Sequence, residues 1–163
     1  MARQLLFVLL LGVSVFAHAE AGPCVQTTQG CIATNPDVTQ ETIDQTICVV
    51  GYTKTVRPST SFTRGVKLML LRREGLPADA ARNYELDHLI NLSIGGHPRK
   101  LSNLVLQPWK GQDSARRKDK LEVALQKRVC RGEMSLAEAQ ICIAEDWHAC
   151  ARQLGREHSW RHR

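Results

Sequence analysis

The sequence predicts an α+β domain in which a strand, a loop, a second strand and a helix form one ββα unit, with further helices packed around it. Three observations carry this. Residues 86–94 and 104–106 are short apolar runs bracketing Gly95-Gly96. Leu121, Leu125 and Val129 then recur at helical spacing. Ser135 and Glu138 form a capping box ahead of Leu136, Ala139, Ile143 and Trp147.

Residues 1–19 read as a secretory leader. Arg3 gives a short positive start, residues 5–16 are apolar apart from Gly12 and Ser14, and Ala17-His18-Ala19 offers a small-residue cleavage site. That run is too short to span a bilayer and no second apolar stretch of about 20 residues follows, so no stable membrane insertion is expected after cleavage. A periplasmic or secreted location follows. In an oxidising compartment Cys24, Cys31, Cys48, Cys130, Cys142 and Cys150 become disulfide candidates. None of them stands at the C-x-x-C spacing of a zinc knuckle. Sequence does not choose the pairings, although Cys24 and Cys31 can close an arm on itself, and Cys48 and Cys130 each flank an element expected to pack.

Residues 20–35 lack a helical or strand period and are expected as an irregular arm; residues 36–155 are expected as one domain and 156–163 as a basic tail. Within the domain, Val38, Ile43 and Ile47 suggest a short helix capped by Asp37 or Thr39, and the β-branched stretch 49–57 suggests extended chain. Ser61 and Thr63 are caps for a helix to Arg73, with Val66, Met69, Leu70 and Leu71 on its apolar side and Gly75 as its stop. Residues 76–83 connect it to the first strand. The helix after Pro108 and Trp109 is expected over 112–130, ended by Gly132.

The formal net charge is +6, and +5 once Arg3 leaves with the leader. Basic chains attract polyanions. Lys110, Arg116, Arg117, Lys118, Lys120, Lys127, Arg128 and Arg131 crowd the helix after the second strand, as a solvated face or as phosphate contacts. No nucleophile elbow, phosphate-binding Gly-rich loop or dinucleotide fingerprint occurs.

The chemistry-bearing segment is residues 84–104. Phosphodiester cleavage needs a proton acceptor for water and a cation that stabilises charge on phosphorus and on the leaving oxygen. His88 is the candidate base and Asp87 the candidate metal ligand, taken to lie together at a distorted strand end because neighbours on a regular strand face opposite sides. His97 beside the Gly-Gly turn is a solvated loop histidine or a phosphate contact. Trp109 and Trp147 suit packing better than base stacking, and His148 can cap its helix or pair with Glu145.

Glu85-Leu86-Asp87-His88-Leu89, the Gly-Gly turn, Asn103-Leu104 and the helix segment Arg117-Lys118-Asp119-Lys120-Leu121-Glu122 together resemble the HNH endonucleases of the ββα-metal superfamily, and among them small exported bacterial proteins. The resemblance covers roughly residues 36–147. It implies a ββα-metal core, Asp87 as metal ligand, His88 as base, Asn103 as the residue that pins the loop and steadies His88, and a divalent cation, Mg2+ ahead of Mn2+ or Zn2+. It also implies nucleic acid as partner, DNA ahead of RNA, with Arg116, Arg117, Lys118 and Lys120 as contacts. The chain departs from the pattern at the start of the helix, where a second ligand, His or Asn, is usual. Gln112, Asp113, Ser114 and Asp119 stand there instead; Asp113 is the best oxygen ligand and equally a helix N-cap, and Asp119 can pair with a lysine of its own helix. A noncatalytic envelope or nucleic-acid-binding module on the same scaffold is the other reading.

Overall fold

The computed structural model describes residues 22–160. The expected leader therefore lies outside the described residues, as does the end of the segment expected as a basic tail. Residues 24–33 are not irregular. They form a hairpin, β1 (Cys24–Thr27) antiparallel to β2 (Gly30–Ala33), closed by the expected Cys24–Cys31 disulfide. Each strand is too short for a periodic signal. The hairpin owes its place to tertiary contacts: Glu145 accepts from the Thr28 N–H (3.0 Å) and hydroxyl (2.5 Å), and Thr34 bridges to Gly96.

Residues 38–47 hold one 3-10 turn, Ile43–Gln45, rather than a helix. Thr42 explains the difference, since its hydroxyl donates to Asp37 O and accepts from Thr39 N–H, a local bonding pattern that competes with helix propagation. The stretch expected to be extended is instead the short helix α1 (Tyr52–Val56), entered through Gly51 at φ 89°. Next comes α2 (Thr60–Arg73), capped by Ser59, whose hydroxyl accepts from Phe62 N–H, and not by Ser61 or Thr63. Leu70 and Leu71 are buried as expected, while Met69 is exposed.

A 3-10 turn (Ala78–Asn83) leads into β3 (Tyr84–His88), which pairs antiparallel with β4 (Leu104–Pro108) from Tyr84↔Pro108 to His88↔Leu104. The first strand thus ends at His88, well short of Ile94, and the fifteen residues that follow are a looped excursion containing two 3-10 turns. After β4, α3 (Ala115–Cys130) follows the order strand, loop, strand, helix.

The last helix, α4 (Leu136–Trp160), opens with the expected capping box. Ser135 Oγ accepts from Glu138 N–H (3.2 Å) and Glu138 Oε2 accepts from Ser135 N–H (2.8 Å). The helix breaks at Asp146 (φ −156°, ψ 95°), whose Oδ1 takes the N–H groups of His148 and Ala149 and so caps the second half. The Cys142–Cys150 disulfide requires that break. Eight residues of straight helix would separate the two Cα atoms by about 12 Å, and they lie 5.2 Å apart. The helix then continues through the first residues of the segment expected as a tail.

A two-stranded sheet is marginal alone. The apolar core lies between α3 (Leu121, Leu125, Val129), α4 (Leu136, Ala139, Ile143) and the loop residues Ile90 and Ile94 that follow β3, while α2 packs against both β3 and β4. Each fully buried aliphatic side chain there contributes roughly 1.5–3 kcal/mol. The expected Cys48–Cys130 disulfide ties the end of α3 to the segment before α1, closing a loop long enough to be worth roughly 4 kcal/mol in the chain-entropy view. No helix among the described residues is long and apolar enough to cross a membrane.

Candidate functional site

The loop between β3 and β4 is organised by one side chain. Asn103 is fully buried; its Oδ1 accepts from Ile90 N–H (2.8 Å), and its Nδ2 donates to Ile90 O and His97 O (both 3.0 Å). Every hydrogen-bonding group of the amide is engaged except one acceptor lone pair. The Gly-Gly pair serves the same construction. A Cβ on Gly96 would stand 1.7 Å from Ile90 O and 2.7 Å from Asn103 Nδ2, and Gly95 has φ +79° with Val38 2.7 Å from where its Cβ would be. Only glycine lets the loop close this tightly.

His88 is the last residue of a regular ladder, so the strand end is not distorted, and Asp87 and His88 face opposite sides. The His88 ring is buried, and its Nε2 lies 3.2 Å from Pro98 O. A carbonyl only accepts, so Nε2 carries the proton and the Nδ1 lone pair is the basic site of the neutral ring. Burial pushes the imidazole pKa below its usual value, with the Pro98 bond and Asp87 acting against the shift. The ring is therefore neutral near pH 7.

Asp87 turns toward α3. Its Oδ1 accepts from the His88 N–H (2.7 Å) and its Oδ2 lies 3.1 Å from Lys118 Nζ. Lys118, expected as a nucleic-acid contact, is 1% exposed and has no access to phosphate. Its ammonium spends all three protons inside the protein, on Asp87 Oδ2, His88 O (2.7 Å) and Glu122 Oε1 (2.5 Å). The surrounding acids raise its pKa against the opposing effect of burial. Lys118 thus bolts the end of β3 to α3.

Three further carboxylates share this region, and only Asp119 among them was singled out from sequence. Burial raises Glu122 to about 7, Asp87 adding to the shift and Lys118 opposing it. Glu85, two residues before Asp87, and Asp119 are also raised, each by burial first and by the Asp87 charge second. The signal for Glu85 was its two-residue spacing from Asp87, which puts both on one face of a strand.

Asp113 is not the cap of α3. Its Oδ1 pairs with His148 Nε2 at 2.7 Å, which also removes His148 from Glu145, and Ser114 takes the cap position of α3 without a side-chain bond. Ser114 is buried and Gln112 is exposed. Arg116, Arg117 and Lys120 are exposed on α3, as a phosphate contact or a solvated face would both require. His97 is a loop brace: Nδ1 accepts from Arg99 N–H (3.0 Å) and Lys100 N–H (3.1 Å). Trp147 packs on the core and stacks on His148 at 3.6 Å between ring centroids.

His88 forms part of the wall of a cleft of about 780 Å³ along β3, together with Glu85, Leu86 and Trp109, α2 residues Thr60, Thr63, Arg64 and Lys67, and Arg57 just before that helix. These cations give no sequence signal, being scattered between apolar residues rather than clustered.

Among the described residues, no three His, Cys, Asp or Glu side chains gather into a metal-binding group. Magnesium is commonly held by one or two carboxylates with water completing its shell. Asp87 and Asp119 are carboxylates of that kind, and Asp119 is raised first by burial and second by the Asp87 charge. Asp113 does not belong to this set. In comparisons with protein-family models, with curated proteins and with solved structures, no match to this chain was found.

Proposed function

We propose that this chain is an exported endonuclease of HNH type that hydrolyses phosphodiester bonds of DNA or RNA. The observation that carries the reading is His88: a buried, neutral imidazole with Nε2 tied to Pro98 O and Nδ1 as its basic atom, in the wall of a cation-lined cleft. Nδ1 takes a proton from the attacking water. Pro98 O fixes the tautomer and stabilises the ring once it is protonated. Asn103 holds the loop that carries Pro98, and Lys118 holds the strand end that carries His88. Asp87 and Asp119 are the residues that would hold a divalent cation, Mg2+ ahead of Mn2+ or Zn2+; because Asp87 faces away from His88, a phosphate would have to reach both at the end of β3, where the ladder stops. When bound, such an ion supplies charge stabilisation for the phosphorane and the leaving 3′ oxygen. Action in the periplasm or the medium accords with three disulfides and no free cysteine among the described residues.

One observation favours a second reading, a noncatalytic nucleic-acid-binding module. Asp87 already has an internal cation, Lys118, on Oδ2. Plasmid nicking by the purified oxidised protein with Mg2+ or Mn2+, beside His88→Ala, separates the two. The nuclease reading expects wild-type nicking abolished by EDTA and lowered by about 100-fold or more in the variant, the scale of general-base catalysis. Equal nicking by the variant would remove His88 from the mechanism. A folded wild type inactive with every divalent cation would leave the binding module.

A further inference from the structure

The cleft beside His88 has a charge arrangement that base catalysis does not use. Thr60, Thr63, Arg64 and Lys67 recur at three- and four-residue steps and therefore share one face of α2. Arg57 extends that face just before the helix. Among the described residues none of Arg57, Arg64 and Lys67 makes an ion pair. Three cations with two hydroxyls thus line one wall, Arg57 within the field of Glu85, while the acids of the cleft, Asp79 and Glu85, belong to the turn before β3 and to β3 itself. From Thr60 to Lys67 the helix rises roughly 10 Å, enough to follow consecutive phosphates of one strand.

Size and shape narrow the occupant. At about 780 Å³ the cleft falls in the range of pockets that enclose a single small ligand. A duplex, whose phosphates lie on a convex outer surface, does not enter such a concavity. Trp109, half-buried, lines this cleft and also a neighbouring hollow of about 270 Å³ with Arg82, Tyr84 and Lys110. An indole between two cationic hollows is a stacking face for an unpaired base. Arg116 and Arg117 of α3, by contrast, are exposed.

We infer that this cleft binds a single nucleic-acid strand, with Arg57, Arg64 and Lys67 on its phosphates and Trp109 against a base, so that the substrate is unpaired rather than duplex nucleic acid. This rests on the nuclease reading for its consequence, but the binding itself needs no metal.

Fluorescence anisotropy in EDTA, using the full oxidised protein and a labelled oligonucleotide as single strand and as blunt duplex, tests it apart from catalysis. Single-strand affinity is expected to exceed duplex affinity by about 10-fold or more. Arg64→Gln/Lys67→Gln, at exposed and half-buried helix positions that should tolerate exchange, is expected to lose about 10-fold and to flatten the salt dependence by roughly 1.4 in slope, the loss of two single-strand phosphate contacts. Trp109→Ala is expected to lose about 10-fold, and Arg116→Gln/Arg117→Gln/Lys120→Gln about 2-fold. Tighter binding of duplex, wild-type binding by the Arg64/Lys67 variant, or a larger loss in the α3 variant would each overturn the inference. Inorganic phosphate displacing the strand at equal concentration would assign the cleft to a small anion and overturn it likewise. Absence of nicking alongside the expected binding would sink the nuclease reading and leave the cleft assignment standing.

Discussion

Two acid–base contacts flank the first turns of α3, and they differ in almost everything but chemistry. At Asp87–Lys118–Glu122 the three side chains are 13%, 2% and 16% exposed, and the ammonium has no water to fall back on. At Asp113–His148 the side chains are 71% and 30% exposed, and either group can exchange its partner for solvent. The contact at Asp113 is short, 2.7 Å, yet distance says little about consequence. Burial decides, because an unpaired charge inside the protein pays desolvation that a surface charge never meets.

The largest expected break in this contrast is Lys118→Met. It leaves two carboxylates and the His88 carbonyl without their donor, and a stability loss of about 3–5 kcal/mol in urea unfolding is expected. A loss under about 1 kcal/mol would mean that the cluster is hydrated and no different from the surface pair.

The pH dependence sharpens the same point. Glu122 is raised from its ordinary 4.5 to about 7, and Glu85 and Asp119 move in the same direction. Between those values the folded chain keeps a proton that the unfolded chain has lost, so stability is higher on the acid side and falls as pH rises from about 4.5 to about 7. The decline is expected to be on the order of 3 kcal/mol. Unfolding midpoints across this window should fall for the wild type and vary distinctly less for Glu122→Gln; a parallel slope in the variant would place the titration elsewhere. The smallest effect belongs to the surface contact. His148→Ala should change stability by less than about 1 kcal/mol, with the loss shrinking further in high salt.

The pinned loop was legible in the sequence because its parts are local and chemically narrow. Asn103, Gly95 and Gly96 have few substitutes for a buried amide and a closed turn, and they lie within one short stretch of chain. The capping box of α4 was legible for the same reason. The Cys48–Cys130 and Cys24–Cys31 pairings agreed with the expectation that each pair closes or flanks a packed element.

Other features depended on partners far along the chain. Lys118 and Lys120 are two basic residues of one helix, and which of them turns inward is set by where β3 ends against α3. The arm became a hairpin because Glu145 and Gly96 meet it, and Asp113 left the metal-ligand set because the kink at Asp146 brings His148 to it. The sequence by itself determined the strand–loop–strand–helix order, the His88 base candidate and the Asn103 brace, since short-range spacing and the special geometry of asparagine and glycine specify them. Only the tertiary structure decided which charges are buried, which carboxylates share a field and which cations line the cleft, because burial and long-range proximity are properties of packed elements and not of neighbours in the chain.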